Sequence, residues 1–301
     1  MRAPSACLWY TAPMKALRLA SGALLPYERR PLIMGIVNTT PDSFYPGSRA
    51  SGEEAVRRAV ALVEEGADLL DIGAESSRPG SDYVSEEEEL ARLVPVVREV
   101  RRLVDVPISV DTRKARVARE ALDAGADIVN DISALRDDPD LARLVAERGV
   151  PVVLMHMRGT PRTMQIDPHY DDPVEEVRRE LLSFVEHALE AGVHRDQIII
   201  DPGFGFGKRR EDNLLLLKHL DVFVSTGYPV LVGVSRKSFI GLTLGREVEE
   251  RLSGTLACHY HAALKGAAIL RVHDVKATRD LILMKEAVEG ATLPSGPAAE
   301  S

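Results

Sequence analysis

The sequence predicts a (β/α)8 TIM barrel, an α/β fold of one domain, on three observations. Eight short apolar runs alternate with eight helical segments over about 250 residues, the usual size of that fold. A glycine phrase marks the handover from helix to strand, as in Gly66-Ala67-Asp68 and Gly125-Ala126-Asp127. Every apolar run ends on polar residues, and the C-terminal ends of its strands are where such a barrel keeps its chemistry. A doubly wound open sheet is the competing architecture.

Residues 1–31 read as an N-terminal extension, with 17–25 a small hairpin at the barrel floor. Pro4, Pro13, Lys15 and Arg18 interrupt any signal-peptide core, and Met14 is a second candidate for the initiator. Strands are expected at 32–37, 69–72, 107–110, 128–131, 151–155, 198–201, 229–233 and 269–272. Short β-branched runs such as Ile198-Ile199-Ile200 suit a parallel sheet buried on both faces. Ser51 with Glu54 and Ser85 with Glu88 have capping-box spacing. Asp138-Pro139 and Asp172-Pro173 each place a capping acid before a first-turn proline. Val56, Ala59, Val60 and Val63 recur at the spacing of a buried helical face. The acidic runs 86–89 and 137–138 read as solvated helix starts favoured by the helix dipole. The barrel is expected over 32–290, with 291–301 a frayed tail.

Composition removes several functions. With 38 basic and 46 acidic residues the net charge is −8, which argues against a nucleic-acid partner. No apolar run approaches the roughly 18 residues that would span a membrane. Cys7 and Cys258 are too far apart in sequence for a metal motif, so a reducing cytoplasm is expected.

Read only at the strand ends, the residues sort by charge. Asp111, Asn130 and Asp201 end the third, fourth and sixth runs, where they accept hydrogen bonds, and Asn130 also donates. Arg236, Lys237, Arg271 and His273 follow the seventh and eighth, and Arg78 follows the second. One side therefore suits a ring rich in N–H groups, the other a polyanion. Asn38 ends the first run beside that basic side, where its oxygen could serve a Mg²⁺ bridging a pyrophosphate. After Asp201 comes Pro202-Gly203-Phe204-Gly205-Phe206-Gly207-Lys208, glycines for close backbone approach and phenylalanines for flat apolar surface.

These residues fall into motifs that resemble the dihydropteroate synthase family. Met34-Gly35-Ile36-Val37-Asn38-Thr39-Thr40-Pro41-Asp42-Ser43-Phe44 is similar to its first signature, and Gly73-Ala74-Glu75-Ser76-Ser77-Arg78-Pro79-Gly80 to its second. Six further motifs follow in order, through Arg271 to Val275. Thr39, Ala74 and Ser77 depart mildly from the usual pattern.

The resemblance implies a transferase of folate biosynthesis. It would join 6-hydroxymethyl-7,8-dihydropterin pyrophosphate to p-aminobenzoate, with sulfonamides as mimics of the latter. By the same resemblance Asp111, Asn130, Ile132, Met155, Asp201, Gly233 and Lys237 would hold the pterin. Asn38, Ser77, Arg78, Arg271 and His273 would hold pyrophosphate, with Mg²⁺ on Asn38. Phe206, Pro79, Arg236 and Ser238 would line the aminobenzoate site. Asp111, Arg271, His273 and Lys237 would carry the catalysis. A homodimer through the later helices is likewise implied. The loops 39–52 and 74–82 are expected to order on the anion, so that aminobenzoate binds after the pterin. The rival functions are a pterin-binding methyltransferase, which has no need of the basic set, and a silent paralogue that only binds.

Overall fold

The computed structural model describes residues 15–39, 52–76, 80–81 and 83–291. Among them, a hairpin of β1 (Ala16–Arg18) and β2 (Leu24–Pro26) precedes eight strand–helix units. The first four pair β3 (Leu32–Asn38) with α1 (Gly52–Glu64), β4 (Leu69–Gly73) with α2 (Glu86–Leu103), β5 (Ile108–Asp111) with α3 (Ala115–Asp123), and β6 (Ile128–Asp131) with α4 (Pro139–Arg148). Next come β7 (Val152–Met155) with α5 (Pro173–Glu190), and β8 (Ile198–Asp201) with α6 (Arg210–Lys218) and α7 (Leu220–Val224). The last two units are β9 (Leu231–Val232) with α8 (Ser238–Leu244) and α9 (Leu252–Leu264), and β10 (Ile269–Val272) with α10 (Val275–Glu289).

The eight strands are parallel in the order β8-β7-β6-β5-β4-β3-β10-β9. A bridge between Ile200 and Val230 joins the two ends, so the sheet is a barrel and the open alternative falls. Runs expected to open at Pro107, Pro151 and Pro229 open one or two residues later. Proline has no N–H for the ladder. Each proline still accepts through its carbonyl, from Leu70, Val129 and Ile200, at 3.0 Å.

Alternation along the strands explains where the site lies. Leu70, Val129, Leu154, Ile200, Val232 and Leu270 pack outward with the helices. Their neighbours Leu69, Ile128, Val153, Ile199, Leu231 and Ile269 form a separate cluster inside the barrel. Two residues further on, the same inward face presents Asp71, Asn130, Met155, Asp201, Gly233 and Arg271. The interior is thus apolar below and largely polar above.

The lower end is sealed and stapled. Leu17 and Leu19 of the hairpin are buried against the interior cluster. The repeated glycine phrase has a repeated bond. Asp68 accepts from Ile33 N at 2.8 Å and Asp127 from Ile108 N at 2.9 Å, each gripping the start of the preceding strand. Gly66 and Gly125 reach these turns with φ of 101° and 112°, a region open to glycine.

Ser85 caps α2 through Glu88 N, and Asp138 and Asp172 cap α4 and α5. Two expectations need correction. On α1 the fully buried face is Ala55, Ala59 and Leu62, while Val56, Val60 and Val63 pack half-buried beside it. Leu62 lies where a Cβ on Gly35 would meet it, so helix and strand touch through small residues and the valines fill the flanks. Glu89 is also not solvated. It is fully buried and paired with Lys114 Nζ. Ser51 lies outside the described residues, as do Cys7 and most of the 39–52 loop. Cys258 is a free thiol.

Candidate active site

At the upper end two carboxylates share one guanidinium. Arg271 Nε donates to Asp71 Oδ2 at 2.6 Å, and its Nη2 to Asp111 Oδ2 at 3.1 Å. Asp71 is wholly buried, and its Oδ1 has no hydrogen-bond partner among the described residues. Burial pushes the Asp111 carboxyl up to about 7; Asp71 adds to that and Arg271 opposes it. Burial alone would lower the Arg271 pKa, but Asp71 and Asp111 outweigh it and raise it. One cation between two buried acids leaves negative charge in surplus, an arrangement that favours a cationic or donor-rich ligand.

Asn130 donates its amide N–H to Asp71 at 3.1 Å. Its carbonyl oxygen is the group left for a ligand. Across the ring Asp201 accepts from Gly203 N at 2.7 Å. Burial raises its pKa, against the pull of Lys237, Lys208 and Arg271. Lys237, opposite, is pushed down to about 7 by burial, with Asp201 resisting. Its Nζ bonds Phe204 O and stands 4.5 Å from the centre of the Phe206 ring. Gly233 lies beside both cations: a Cβ on it would stand 3.9 Å from Lys237 Nζ and from Arg271 Cβ. Ile132, Met155, Met157 and Met164 form a small apolar cluster with Phe206 against it, a platform for a flat ring.

Asn38 is half-buried at the end of β3, opposite Gly73 in register. His273, just past β10, holds Ser235 Oγ at 3.0 Å through Nδ1. The structure therefore gathers Asp111, Asn130, Met155, Asp201, Gly233, Lys237 and Arg271 on one inward face, with Ile132 and Phe206 at its rim. Ser238 is exposed at the first position of α8. Arg236 is not gathered. At φ 55° its chain turns so that the guanidinium grips Asp274 twice at 2.8 Å and the carbonyls of Val248 and Glu249. Ser77, Arg78 and Pro79, expected at the pyrophosphate and aminobenzoate, lie outside the described residues.

Three residues were given no role in the sequence reading. Asp71 sits two positions after inward Leu69, so strand alternation could have placed it with Asn130 and Asp201. Lys208 and His156, both buried, bond each other at 3.0 Å behind the Phe206 loop. Nothing in the sequence signals that contact.

Comparisons with known proteins come from sequence and from shape. A family model described as pterin binding enzyme matches residues 34–273. The dihydropteroate synthase of Haemophilus influenzae is 47% identical over 262 residues, covering 87% of this chain and 95% of the relative. A Yersinia pestis dihydropteroate synthase, solved as a sulfonamide drug complex, superposes with a TM-score of 0.88 at 43% identity, over 92% of this chain and 100% of that one. The Xanthomonas albilineans enzyme, solved in complex with 7,8-dihydropteroate, gives 0.82 at 45% identity, again over 92% and 100%.

Proposed function

The chain belongs to the pterin-binding dihydropteroate synthase family, and from that premise we infer what its barrel mouth does. It condenses 6-hydroxymethyl-7,8-dihydropterin pyrophosphate with p-aminobenzoate, releasing 7,8-dihydropteroate and pyrophosphate. The observation that carries this is the inward face itself, where the acceptors Asp111, Asn130 and Asp201 are gathered together with the cations Lys237 and Arg271.

Asp201 and the Asn130 oxygen receive the pterin's amino and ring N–H groups, and Lys237 meets its carbonyl side. Met155 and Ile132 pack on the ring. Phe206 forms part of the wall for aminobenzoate, with Ser238 at its edge. Arg271 and His273 face the pyrophosphate. No nucleophile is required of the protein. Pyrophosphate leaves, positive charge spreads from the methylene into the pterin, and the aniline nitrogen attacks. The chain contributes preorganised charge: Asp111 beside the cation, Arg271 beside the leaving group.

Mg²⁺ fits this scheme as a companion of the substrate. Among the described residues no group of three or more His, Cys, Asp or Glu could hold a metal. Asn38 offers one neutral oxygen, which suits an ion that takes its remaining ligands from water and phosphate. Bound there, the ion would neutralise charge on the pyrophosphate. A homodimer is also part of this reading. Leu242 and Leu244 of α8, Tyr260 and Leu264 of α9, and Leu283 and Met284 of α10 are all exposed apolar side chains on the later helices. Light scattering on the purified chain tests it. The enzyme is placed in the cytoplasm, where a free Cys258 stays reduced.

The functional test is pyrophosphate release by the purified chain. Release that needs both substrates supports the assignment. Release without aminobenzoate, or none with both, overturns it.

A further inference from the structure

A buried lysine sits behind the site and touches neither substrate in the scheme above. Lys208 closes the loop after β8 and is only 4% exposed. Its Nζ lies 2.9 Å from Gly203 O, 3.0 Å from Phe206 O, 3.3 Å from His156 O and 3.0 Å from His156 Nδ1. Burial pushes the Lys208 pKa down to about 7, and its N–H bonds are shared among these acceptors. The Glu180 carboxylate only accepts, which fixes the imidazole tautomer: Nε2 gives its proton to Glu180 at 2.9 Å, and Nδ1 carries the lone pair toward Lys208. Burial, with Lys208 adding to it, pushes the His156 pKa down to about 3, so the ring is neutral. Arg158 grips Glu180 in turn, and bonds Glu176 at 2.7 Å and His169 O at 3.0 Å.

The loop needs such an anchor. Gly203, at φ 68°, passes the end of β7 so closely that a Cβ there would lie 1.9 Å from His156 O. Three carbonyl oxygens, of Gly203, Phe206 and His156, thereby converge on one point. Oxygens crowded in this way repel unless a donor stands among them. Asn213 pins the other side of the loop, accepting from Gly205 N at 2.6 Å.

We propose that Lys208 is a positioning residue for the second substrate. By drawing the three carbonyls and His156 onto its buried Nζ, it sets the loop so that Phe206 stands as the aminobenzoate wall. This rests on the reading that Phe206 lines the aminobenzoate site. Lys208 acts through Phe206 and is not itself catalytic.

The test uses the full chain with Lys208→Met, which keeps the length and removes charge and donors, and with Lys208→Arg. Steady-state kinetics are measured against each substrate, and hydrogen exchange over residues 203–208. For Lys208→Met the KM for aminobenzoate is expected to rise at least about tenfold, since a displaced contact loses most of its benefit. The KM for the pterin substrate should change less than about threefold, and exchange should quicken in 203–208 and not in the barrel strands. Lys208→Arg should fail to rescue, because a planar fork cannot gather the same carbonyls. An equal rise in both KM values, a loss of turnover alone, unchanged exchange, or rescue by Arg each overturns the proposal. So does failure of both variants to fold, since the proposal confines the role of Nζ to the loop. If the unaltered chain releases no pyrophosphate, the functional reading fails, and the exchange measurement still decides the clamp.

Discussion

At the floor of the barrel Asp68 accepts from Arg30, Arg279 and Ile33 N, and Asp127 from Arg101 and Ile108 N. At the mouth Asp71 and Asp111 share Arg271, and one oxygen of Asp71 has no partner among the described residues. The residue types are the same, and the difference is in their balance. Floor carboxylates are saturated by arginines and backbone, although burial still nudges Asp68 upward. Mouth carboxylates are left short of donors. Charge at the floor holds strands in register, while charge at the mouth is held unspent for a ligand, as strain at functional sites commonly is.

The contrast breaks most visibly at Arg271. Arg271→Lys keeps the charge but loses the fork that spans Asp71 and Asp111. Turnover should fall by about 10²–10³, because the lost contact strengthens as the leaving group gains charge. Stopped assays at saturating substrate measure it, and a rise in KM with turnover intact would remove the role. At the floor, Asp127→Ala should do the reverse. Ile108 N loses its acceptor and Arg101 its charged one, keeping only the carbonyls of Gly125, Val104 and Val106, which costs about 2–3 kcal/mol, roughly 4–12 °C in melting temperature. Kinetics at 25 °C should be unchanged. A floor variant with altered KM would erase the distinction.

Asp201→Asn sharpens it further. The loss of one charged acceptor should weaken pterin binding at least about tenfold by calorimetry, with little shift in melting temperature. The smallest effect is expected at Asp111. Its carboxyl is held up to about 7 by burial and Asp71, against roughly 3.9 in an unfolded chain. Between those values the folded state binds more protons. The stability this group contributes is full below about 3.9 and lost as pH rises through about 7. Asp111→Asn should therefore raise the melting temperature of the ligand-free protein at pH 8 and leave it alone at pH 4. Scanning fluorimetry at both pH values checks the sign. A lower melting temperature at pH 8 would mean that Asp111 is a staple after all.

Much of the fold was legible, because strand alternation and capping are local. Ile198-Ile199-Ile200 before Asp201 needs no partner to be read as a buried strand with a polar end. The site was legible where it coincided with strand ends, as for Asp111, Asn130 and Arg271. Asp71 was seen as a polar strand end but given no role, because only the two-residue period puts it on the face of Asn130 and Asp201. Arg236 and Lys208 show the other limit. Whether a basic residue after a strand meets a ligand or a carbonyl depends on a backbone angle and on distant chain, Asp274 in one case and His156 in the other. Glu89 looked like one more acid in a run until Lys114 was beside it.

The plug formed by Leu17 and Leu19 has a consequence in time. These residues are made before the barrel strands, yet the surface that buries them includes Ile269 of the last strand. At roughly 5–20 residues per second, synthesis of the intervening chain takes roughly 12–50 s. Throughout that interval the hairpin has no complete seat, and the underside of the growing sheet has no cover. A hairpin made ahead of the barrel is thus among the last elements to dock, and closing the ring and sealing its base become one late event.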